Sequence, residues 1–174
     1  MKLLGITIDR DGSFNSHVSN ISRRMRARTW ALSKLKKKGL SETDLIKTYK
    51  SLIRPAAEYA SPAWHSLLTA TQANEIERQQ VQALKNIYGP EISANKMREM
   101  ADIELLSKRR EKMAKKFAMK SLSNPRTASW FTERPEPRYA RRRSINYPKY
   151  KEKTARTDRF RNSPKNFLIR KLNE

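Results

Sequence analysis

The sequence predicts a mainly α protein: a small helical bundle with a short N-terminal strand or hairpin and an irregular basic C-terminal tail. Apolar residues recur at intervals of three and four through most of the first 124 residues, which is the spacing of a buried helix face. Glycine and proline divide these segments at Gly39, at Gly89-Pro90 and at Asn124-Pro125. Beyond residue 125 the periodicity is lost and charge dominates, which predicts disorder or folding upon binding.

The first fifteen residues predict a strand and a turn. Leu4, Ile6 and Ile8 alternate on one face, and the segment 9–12 (Asp-Arg-Asp-Gly) turns the chain. This strand, or hairpin arm, has few partners in the remaining sequence, so we expect it to pair with something absent or to stay marginal. Asp9 and Asp11 could hold magnesium as a pair, but Asp-Gly is a turn signal and no further carboxylate lies nearby, so a turn is favoured.

A first helix is predicted from Ser16 to about Lys38, with Asn15 or Ser16 as its N-cap and Gly39 as its end. No acidic residue interrupts this segment. An uncompensated row of cations favours contact with phosphates over a merely solvated surface. The basic residues are Arg23, Arg24, Arg26, Arg28, Lys34, Lys36, Lys37 and Lys38.

The next segment, residues 41–64, is the most apolar part of the chain. Ser41 and Asp44 form an approximate capping box, and Pro55 and Pro62 predict two breaks in the helix. Trp64 is expected to cover the edge of the core; stacking of Trp64 and Tyr59 on bases is the less favoured alternative. The predicted buried stripe is Leu45, Tyr49, Leu52, Ile53, Ala56, Ala57 and Tyr59.

A third helix is predicted from an N-cap at Thr71 to Gly89-Pro90, with Gln80 on its inner stripe. A buried amide needs hydrogen-bond partners, so we expect Gln80 to hold the backbone near Pro55 or Pro62.

Two further helices are predicted over residues 93–100 and 103–122, and the apolar cluster near the C-terminus is expected to dock back on the helices. The second of them is expected to turn Leu106, Met113, Phe117 and Leu122 inward. Its outer surface is predicted to form a second basic ridge of Lys108, Arg109, Arg110, Lys112, Lys115, Lys116 and Lys120.

Composition narrows the function. The chain has 174 residues, a soft prior for one domain, and its net charge of +22 and pI of about 10.6 indicate a polyanionic partner, with nucleic acid favoured over membrane. The excess is +7 in residues 1–92, +6 in 93–129 and +9 in 130–174, so it is spread along the chain. Cysteine is absent, which excludes disulfides and cysteine-based zinc sites, and no cofactor is expected.

The histidines and the apolar runs indicate neither a metal site nor a membrane-spanning segment. His17 and His65 are the two histidines; neither has metal-ligand spacing, and surface or capping roles are expected for both. No apolar run is long enough to span a bilayer or to form a signal peptide, so no membrane association is expected. The expected location is intracellular, in the nucleus or the cytoplasm, with no secretion.

The order of residues between 49 and 89 carries a family resemblance. A tyrosine, Ile-Arg-Pro, Glu-Tyr-Ala-Ser-Pro and Ala-Trp are followed by a helix with Glu77, Gln80, Ala83-Leu84, Ile87 and Gly89. This string resembles the thumb of reverse transcriptases from non-LTR (LINE-type) retrotransposons. Residues 4–9 resemble the strand at the palm–thumb junction, and residues 106–131 and 156–173 resemble the post-thumb region and C-terminus. The implied division is 1–15 (junction), 16–90 (thumb-like bundle), 91–124 (post-thumb helices) and 125–174 (basic, largely irregular tail).

The resemblance implies binding without catalysis. In this family, polymerisation uses magnesium-binding palm aspartates in a Tyr-Ala-Asp-Asp-type motif, and a separate endonuclease cuts DNA; neither motif occurs here, nor does a Cys-Cys-His-Cys knuckle. We therefore expect a 5′-truncated, non-enzymatic fragment, in which Met1 is simply the first available start.

The expected partner is RNA and/or DNA, as a template–primer duplex, with the rest of a reverse transcriptase supplied in trans. The alternative is a helical module that docks on a complete reverse transcriptase or another acidic protein. The expected nucleic-acid contacts are Arg23, Arg24, Arg26, Arg28, Lys36, Lys37, Lys38, Lys108, Arg109, Lys112, Lys116, Arg141, Arg142 and Arg143.

Overall fold

The structure, a computed structural model, describes residues 1–134 and 148–174 and confirms a mainly α bundle with a small N-terminal hairpin. A π-helical turn (Tyr49–Ile53) follows the second helix, and two 3₁₀ turns (Ser61–Ala63 and His65–Leu67) follow the third. In chain order the elements are β1 (Lys2–Leu3), β2 (Ile6–Thr7), α1 (Asn15–Lys37), α2 (Glu42–Thr48), α3 (Arg54–Glu58), α4 (Ala70–Tyr88), α5 (Ala94–Ala101), α6 (Leu106–Leu122), α7 (Pro125–Ala128), α8 (Asp158–Arg161) and α9 (Pro164–Asn173).

The N-terminal strand pairs with itself. β1 and β2 are antiparallel, with Lys2 opposite Thr7, and the chain reverses at Leu4 and Gly5, both of which have positive φ. The Tyr59 hydroxyl donates a hydrogen bond to the Leu4 carbonyl at 3.0 Å. A Cβ at Gly5 would lie 3.2 Å from the Tyr59 ring, so glycine permits this contact as well as the turn. The strand therefore pairs within its own hairpin and not with an absent partner, and with two residues on each side this hairpin is as marginal as the other alternative predicted.

The first helix has nearly the predicted bounds but a different cap. Its N-cap position is Phe14, whose buried side chain cannot accept a hydrogen bond. The Asp9 carboxylate instead accepts from the Ser16 backbone N–H at 3.0 Å and from the Ser13 hydroxyl at 3.2 Å. The hydrogen bonds from Ser16 and Ser13 lower the pKa of Asp9. The turn thus supplies the cap that we had expected from Asn15 or Ser16.

The main core lies between α1 and α4 and is closed by the segment that follows α3. Trp64 is fully buried, and its indole N–H donates to the Tyr59 carbonyl at 3.0 Å, which confirms a core role and removes Trp64 as a base-stacking candidate. His17 is also buried, edge-on to Trp64 at 5.2 Å between ring centroids. The surface role expected for His17 was therefore wrong.

The π-helical turn changes which residues of 41–59 face inward. The Arg54 N–H donates to the Tyr49 carbonyl five residues back, and Pro55 then occupies the first turn of α3, where its missing N–H costs nothing. The wider turn advances the following side chains around the axis. Leu52 and Tyr59, predicted to be buried, are 55% and 57% exposed. A pattern of 3.6 residues per turn could not anticipate the π-helical turn that contains Leu52 or the end of α3 just before Tyr59.

Polar side chains cap the N-terminus of α4 and link its inner face to neighbouring elements. Thr69, and not Thr71 as predicted, caps the helix: its hydroxyl accepts from Gln72 N–H at 3.2 Å, while the Gln72 side chain accepts from Thr69 N–H at 2.9 Å. Gln80 is fully buried and donates to the Tyr49 hydroxyl and to the Glu104 carbonyl, both at 3.1 Å. It therefore ties α4 to the loop before α6, and its expected partner region at the prolines was wrong.

A second apolar cluster joins the end of the chain to α6. Its buried members are Ala114, Ala118, Phe131, Tyr150, Leu168 and Ile169, and α9 packs along α6. The predicted docking of the C-terminal apolar residues is confirmed, and they form a ten-residue helix.

Candidate nucleic-acid interface

The basic residues of α1 point in several directions around one helix. Arg24 and Arg28, one turn apart, border the groove beside Pro55 and Tyr59. Arg26 borders the groove shared with α4, and Arg23 is exposed and donates to the Asn20 side chain at 2.9 Å. All four arginines are exposed, so α1 presents a wrapped basic surface and not a single ridge. We define the α1 basic surface as Arg23, Arg24, Arg26, Arg28, Lys34, Lys37 and Lys38.

No described carboxylate forms an ion pair with this surface. α1 contains no acidic residue, and within residues 1–134 and 148–174 no ion pair involves an α1 cation. Where these cations have hydrogen-bond partners, the partners are uncharged. Arg28 donates to the Leu52 carbonyl at 2.5 Å, and Lys36 donates to the Ile87 carbonyl at 2.7 Å in the last turn of α4. Arg28 and Lys36 therefore have structural roles as well.

An exposed tryptophan lies within the α1 basic surface. Trp30 is 64% exposed, and the Lys34 ammonium lies 5.0 Å from its ring centroid. Trp30 was not among the contacts predicted from the sequence. The signal was an aromatic residue with a lysine four positions later, on a helix of uncompensated cations, which is a common setting for aromatic and cationic contacts with nucleic acid.

Part of the second predicted ridge, on α6, is already paired within the protein. Arg109 Nε lies 2.5 Å from the Glu58 carboxylate, and hydrogen bonding to this carboxylate raises the pKa of Arg109. Lys112 pairs with Glu104. These two cations are less available for phosphate contacts, because each of them already forms an ion pair with a carboxylate. Lys108 and Lys116 are exposed and have no ion pair among the described residues.

Arg110 was predicted to lie on the surface of α6, and this was wrong. It is fully buried, its guanidinium lies 5.6 Å from the Trp64 ring centroid, and its Nε donates to His65 Nδ1 at 3.2 Å. Its two terminal nitrogens are buried and have no hydrogen-bond partner among the described residues. Desolvation lowers the pKa of Arg110, against the opposing charges of Glu77 and Glu58.

His65 is matched to this buried cation. Burial, together with the charges of Arg110 and Lys171, lowers the pKa of His65 to about 4. The ring is therefore neutral at pH 7, which leaves Nδ1 free to accept the hydrogen bond from Arg110. The His65 ring also packs edge-on against Phe167 of α9, at 5.8 Å between ring centroids. His65 thus joins the two apolar clusters, in place of the surface role expected for it.

The proposed contacts fall into three groups. The first group is exposed and has no carboxylate partner among the described residues, whereas the second holds neighbouring parts of the fold. Arg141, Arg142 and Arg143 lie outside the described residues. The first group is Arg23, Arg24, Arg26, Lys37, Lys38, Lys108 and Lys116, and the second is Arg28, Lys36, Arg109 and Lys112.

Other classes of site find no support in the part of the chain that the structure describes. There, no helix is both long enough and apolar enough to cross a membrane. The same residues contain no cluster of three or more His, Asp or Glu side chains that could hold a metal ion.

Comparison of the chain with protein families, curated proteins and solved structures finds no match. The resemblance to reverse-transcriptase thumbs therefore rests on the residues quoted above and stays a prediction.

Proposed function

We propose that this chain binds nucleic-acid duplex through the α1 basic surface, as a non-catalytic, thumb-like fragment of a non-LTR reverse transcriptase. The observation that supports the proposal is a helix of exposed cations that contains no acidic residue and forms no ion pair among the described residues. Such a surface keeps its charge available for an external polyanion. An ion-paired surface of equal basic content would not.

The α1 basic surface suits a backbone-directed contact. A helix rises about 1.5 Å per residue, so Arg23 and Lys37 are separated by roughly 20 Å along the axis, within reach of several phosphates. Arginine presents a fork of N–H donors that matches phosphate oxygens. The packing of Met25 and Leu32 in the core holds the helix in place, so little ordering is needed on binding. Phosphate contacts carry no sequence information, and the same surface therefore serves RNA or DNA.

In a complete enzyme this surface would grip the template–primer duplex while the palm supplied the metal-binding aspartates. The chain by itself contains no motif for that chemistry. We therefore propose binding alone, with the rest of a reverse transcriptase as a partner in trans. Primer extension with magnesium is expected to give no product with this chain alone, and template-dependent extension would contradict the proposal.

The test is the salt dependence of duplex binding. Each phosphate neutralised contributes about −0.9 to the slope of log K against log salt concentration for DNA, so the triple variant Arg23→Gln, Arg24→Gln, Arg26→Gln is expected to make the slope shallower by about 2.7. The matched control removes three exposed cations, Lys47, Lys149 and Arg161, that are already paired with Asp44, Glu133 and Asp158.

The control variant is expected to change the salt slope by less than one third of the change expected for the triple variant. A triple variant that keeps the wild-type slope, or a wild-type slope near zero, would contradict the proposal.

A protein partner is the second candidate. Leu52 is exposed and its carbonyl accepts the hydrogen bond from Arg28, and an exposed apolar side chain next to a cation is compatible with a protein interface. Nuclease treatment separates the two candidates. If a complete reverse transcriptase is retained by the chain after nuclease digestion and duplex is not bound, the second candidate replaces the first.

A further inference from the structure

An apolar cleft opens on the side of the molecule where α9 meets α6. Its volume is about 660 Å³, within the usual range for sites that take small organic groups. The 3₁₀ turn at 61–63 forms one wall, and the segment after α7 forms another. The principal lining side chains are Pro62, Phe117, Trp130, Phe131, Lys165 and Leu168.

The cleft has an ordered aromatic floor and exposed aromatic sides. Phe131 is buried and packs edge-on against Tyr150, at 6.3 Å between centroids. Phe117 and Trp130 remain 41% and 44% exposed, although both line the cleft. Leaving two large aromatic side chains half in water is unfavourable, which indicates a surface that contacts a flat apolar group.

The surroundings of the cleft are cationic. Lys165 is the single charged side chain among the described residues that line it. Lys116 and Lys120 flank Phe117 along α6, and neither these two lysines nor Lys165 forms an ion pair with a described residue. The sole acid of α6, Glu111, is held by Lys171 at 3.3 Å. The charge therefore favours an occupant that combines a flat apolar group with negative charge.

We propose that this cleft binds an unpaired base of single-stranded nucleic acid. The base stacks on Phe117 and Trp130, and the adjoining phosphates contact Lys116, Lys120 and Lys165. The described lining offers one neutral hydrogen-bonding side-chain group, the Trp130 indole N–H, and a single donor does not distinguish bases that all carry acceptors, so binding is expected to tolerate any base. The inference extends the proposed function to a second class of nucleic acid but uses none of the α1 basic surface.

The test compares two single strands of equal length, one with bases and one with abasic sugars throughout, by fluorescence anisotropy at fixed salt. The wild type is expected to bind the base-containing strand roughly tenfold more tightly. Phe117→Ala and Trp130→Ala are expected to remove that advantage without changing affinity for the abasic strand. The matched control is Met119→Ala, also on α6 and 58% exposed but outside the cleft, which is expected to keep the advantage.

Equal affinity of the wild type for the two strands would overturn the inference, and so would an advantage that survives both aromatic variants. A cleft that binds an apolar dye while the bases give no advantage is a site for another apolar partner, which also overturns it. Phe117→Leu and Trp130→Leu replace the alanine variants if thermal melting shows that those unfold.

Duplex binding of the same proteins is measured in parallel. A wild type that shows no base advantage but keeps the α1-dependent duplex salt slope rejects the cleft alone. A base advantage without α1-dependent duplex binding rejects the proposed function alone.

Discussion

Helices α1 and α6 have similar basic composition and use it in opposite ways. On α1 the arginines lie at the surface and form no ion pair among the described residues. On α6, Arg109 holds Glu58, Lys112 pairs with Glu104, and Arg110 is buried beneath Trp64 and His65. A count of lysine and arginine therefore does not identify a binding surface. Only the lysine and arginine residues that are exposed and have no partner within the protein indicate such a surface.

The difference follows from where each helix lies. α1 buries one face, against α4 and the neighbouring π-helical turn. α6 lies between two apolar clusters, with Leu106 in the first and Ala114 and Ala118 in the second. The small alanines let α9 approach closely, and this leaves fewer directions in which the side chains of α6 can reach water. Two of its cations, Arg109 and Arg110, are drawn into the fold and need partners there.

Arg110 provides the largest test of this contrast. Arg110→Ala is expected to lower the free energy of unfolding by about 2 to 4 kcal/mol, because it leaves a cavity beneath Trp64. Arg110→Met keeps most of the volume and removes a buried charge with two unpartnered nitrogens, so it is expected to stay within about 1 kcal/mol of wild type. Urea unfolding followed by circular dichroism measures both. Equal effects of the two substitutions would show that Arg110 is not packed as described.

Glu77 tests how α6 is anchored. Its carboxylate accepts from the Leu106 N–H at 3.2 Å and from the Ser107 N–H at 2.7 Å, which caps the helix from α4. Glu77→Ala is expected to destabilise the protein by about 2 kcal/mol, since two backbone donors lose their partner.

The neighbouring Glu75, whose carboxylate pairs with the exposed Arg78, serves as the control. Glu75→Ala is expected to cost less than about 1 kcal/mol in the same unfolding measurement. A cost at Glu75 as large as that at Glu77 would exclude the capping role.

The neutral His65 predicts a pH dependence for the α6 side of the molecule. The folded state lowers the pKa of His65 from 6.5 to about 4, so stability is complete above pH 6.5 and is lost as pH falls toward 4, where the unfolded chain binds the extra proton. The loss is expected to be about 1 to 2 kcal/mol after allowance for partial exposure of the ring. His65→Gln keeps an acceptor and does not titrate, so it should flatten the profile in that window. A profile unchanged by the substitution would assign the acid sensitivity to other groups.

Arg28 lies at the boundary between the two behaviours and gives the smallest effect. It belongs to the α1 basic surface and also donates to the Leu52 carbonyl at the π-helical turn. Arg28→Gln is expected to cost about 1 kcal/mol in stability and to make the salt slope shallower by about 0.9. Arg23→Gln, used as the control, should change only the slope. If Arg28→Gln leaves stability unchanged, its contact with Leu52 contributes nothing.

Features that depend on residues within a single helix were predicted well from the sequence. The bounds of α1 and α5, the end of α4 at Gly89 and the burial of Trp64 were predicted closely, because apolar spacing and glycine act within a few residues. Prediction from the sequence failed where the partner lies outside the helix. The cap of α6 comes from Glu77 in α4, about thirty residues earlier, and that of α1 from Asp9 in the preceding turn, outside the usual N-cap position.

The candidate site divides in the same way. The sequence alone determined that α1 carries cations without acids, because composition within a helix needs no partner to be read. Only the tertiary structure decided that Arg109 and Arg110 are not a surface, since Glu58, Trp64 and His65 are 45 to 51 residues away in the chain. Burial of a charge depends on what packs over it, and that is a property of the assembled helices.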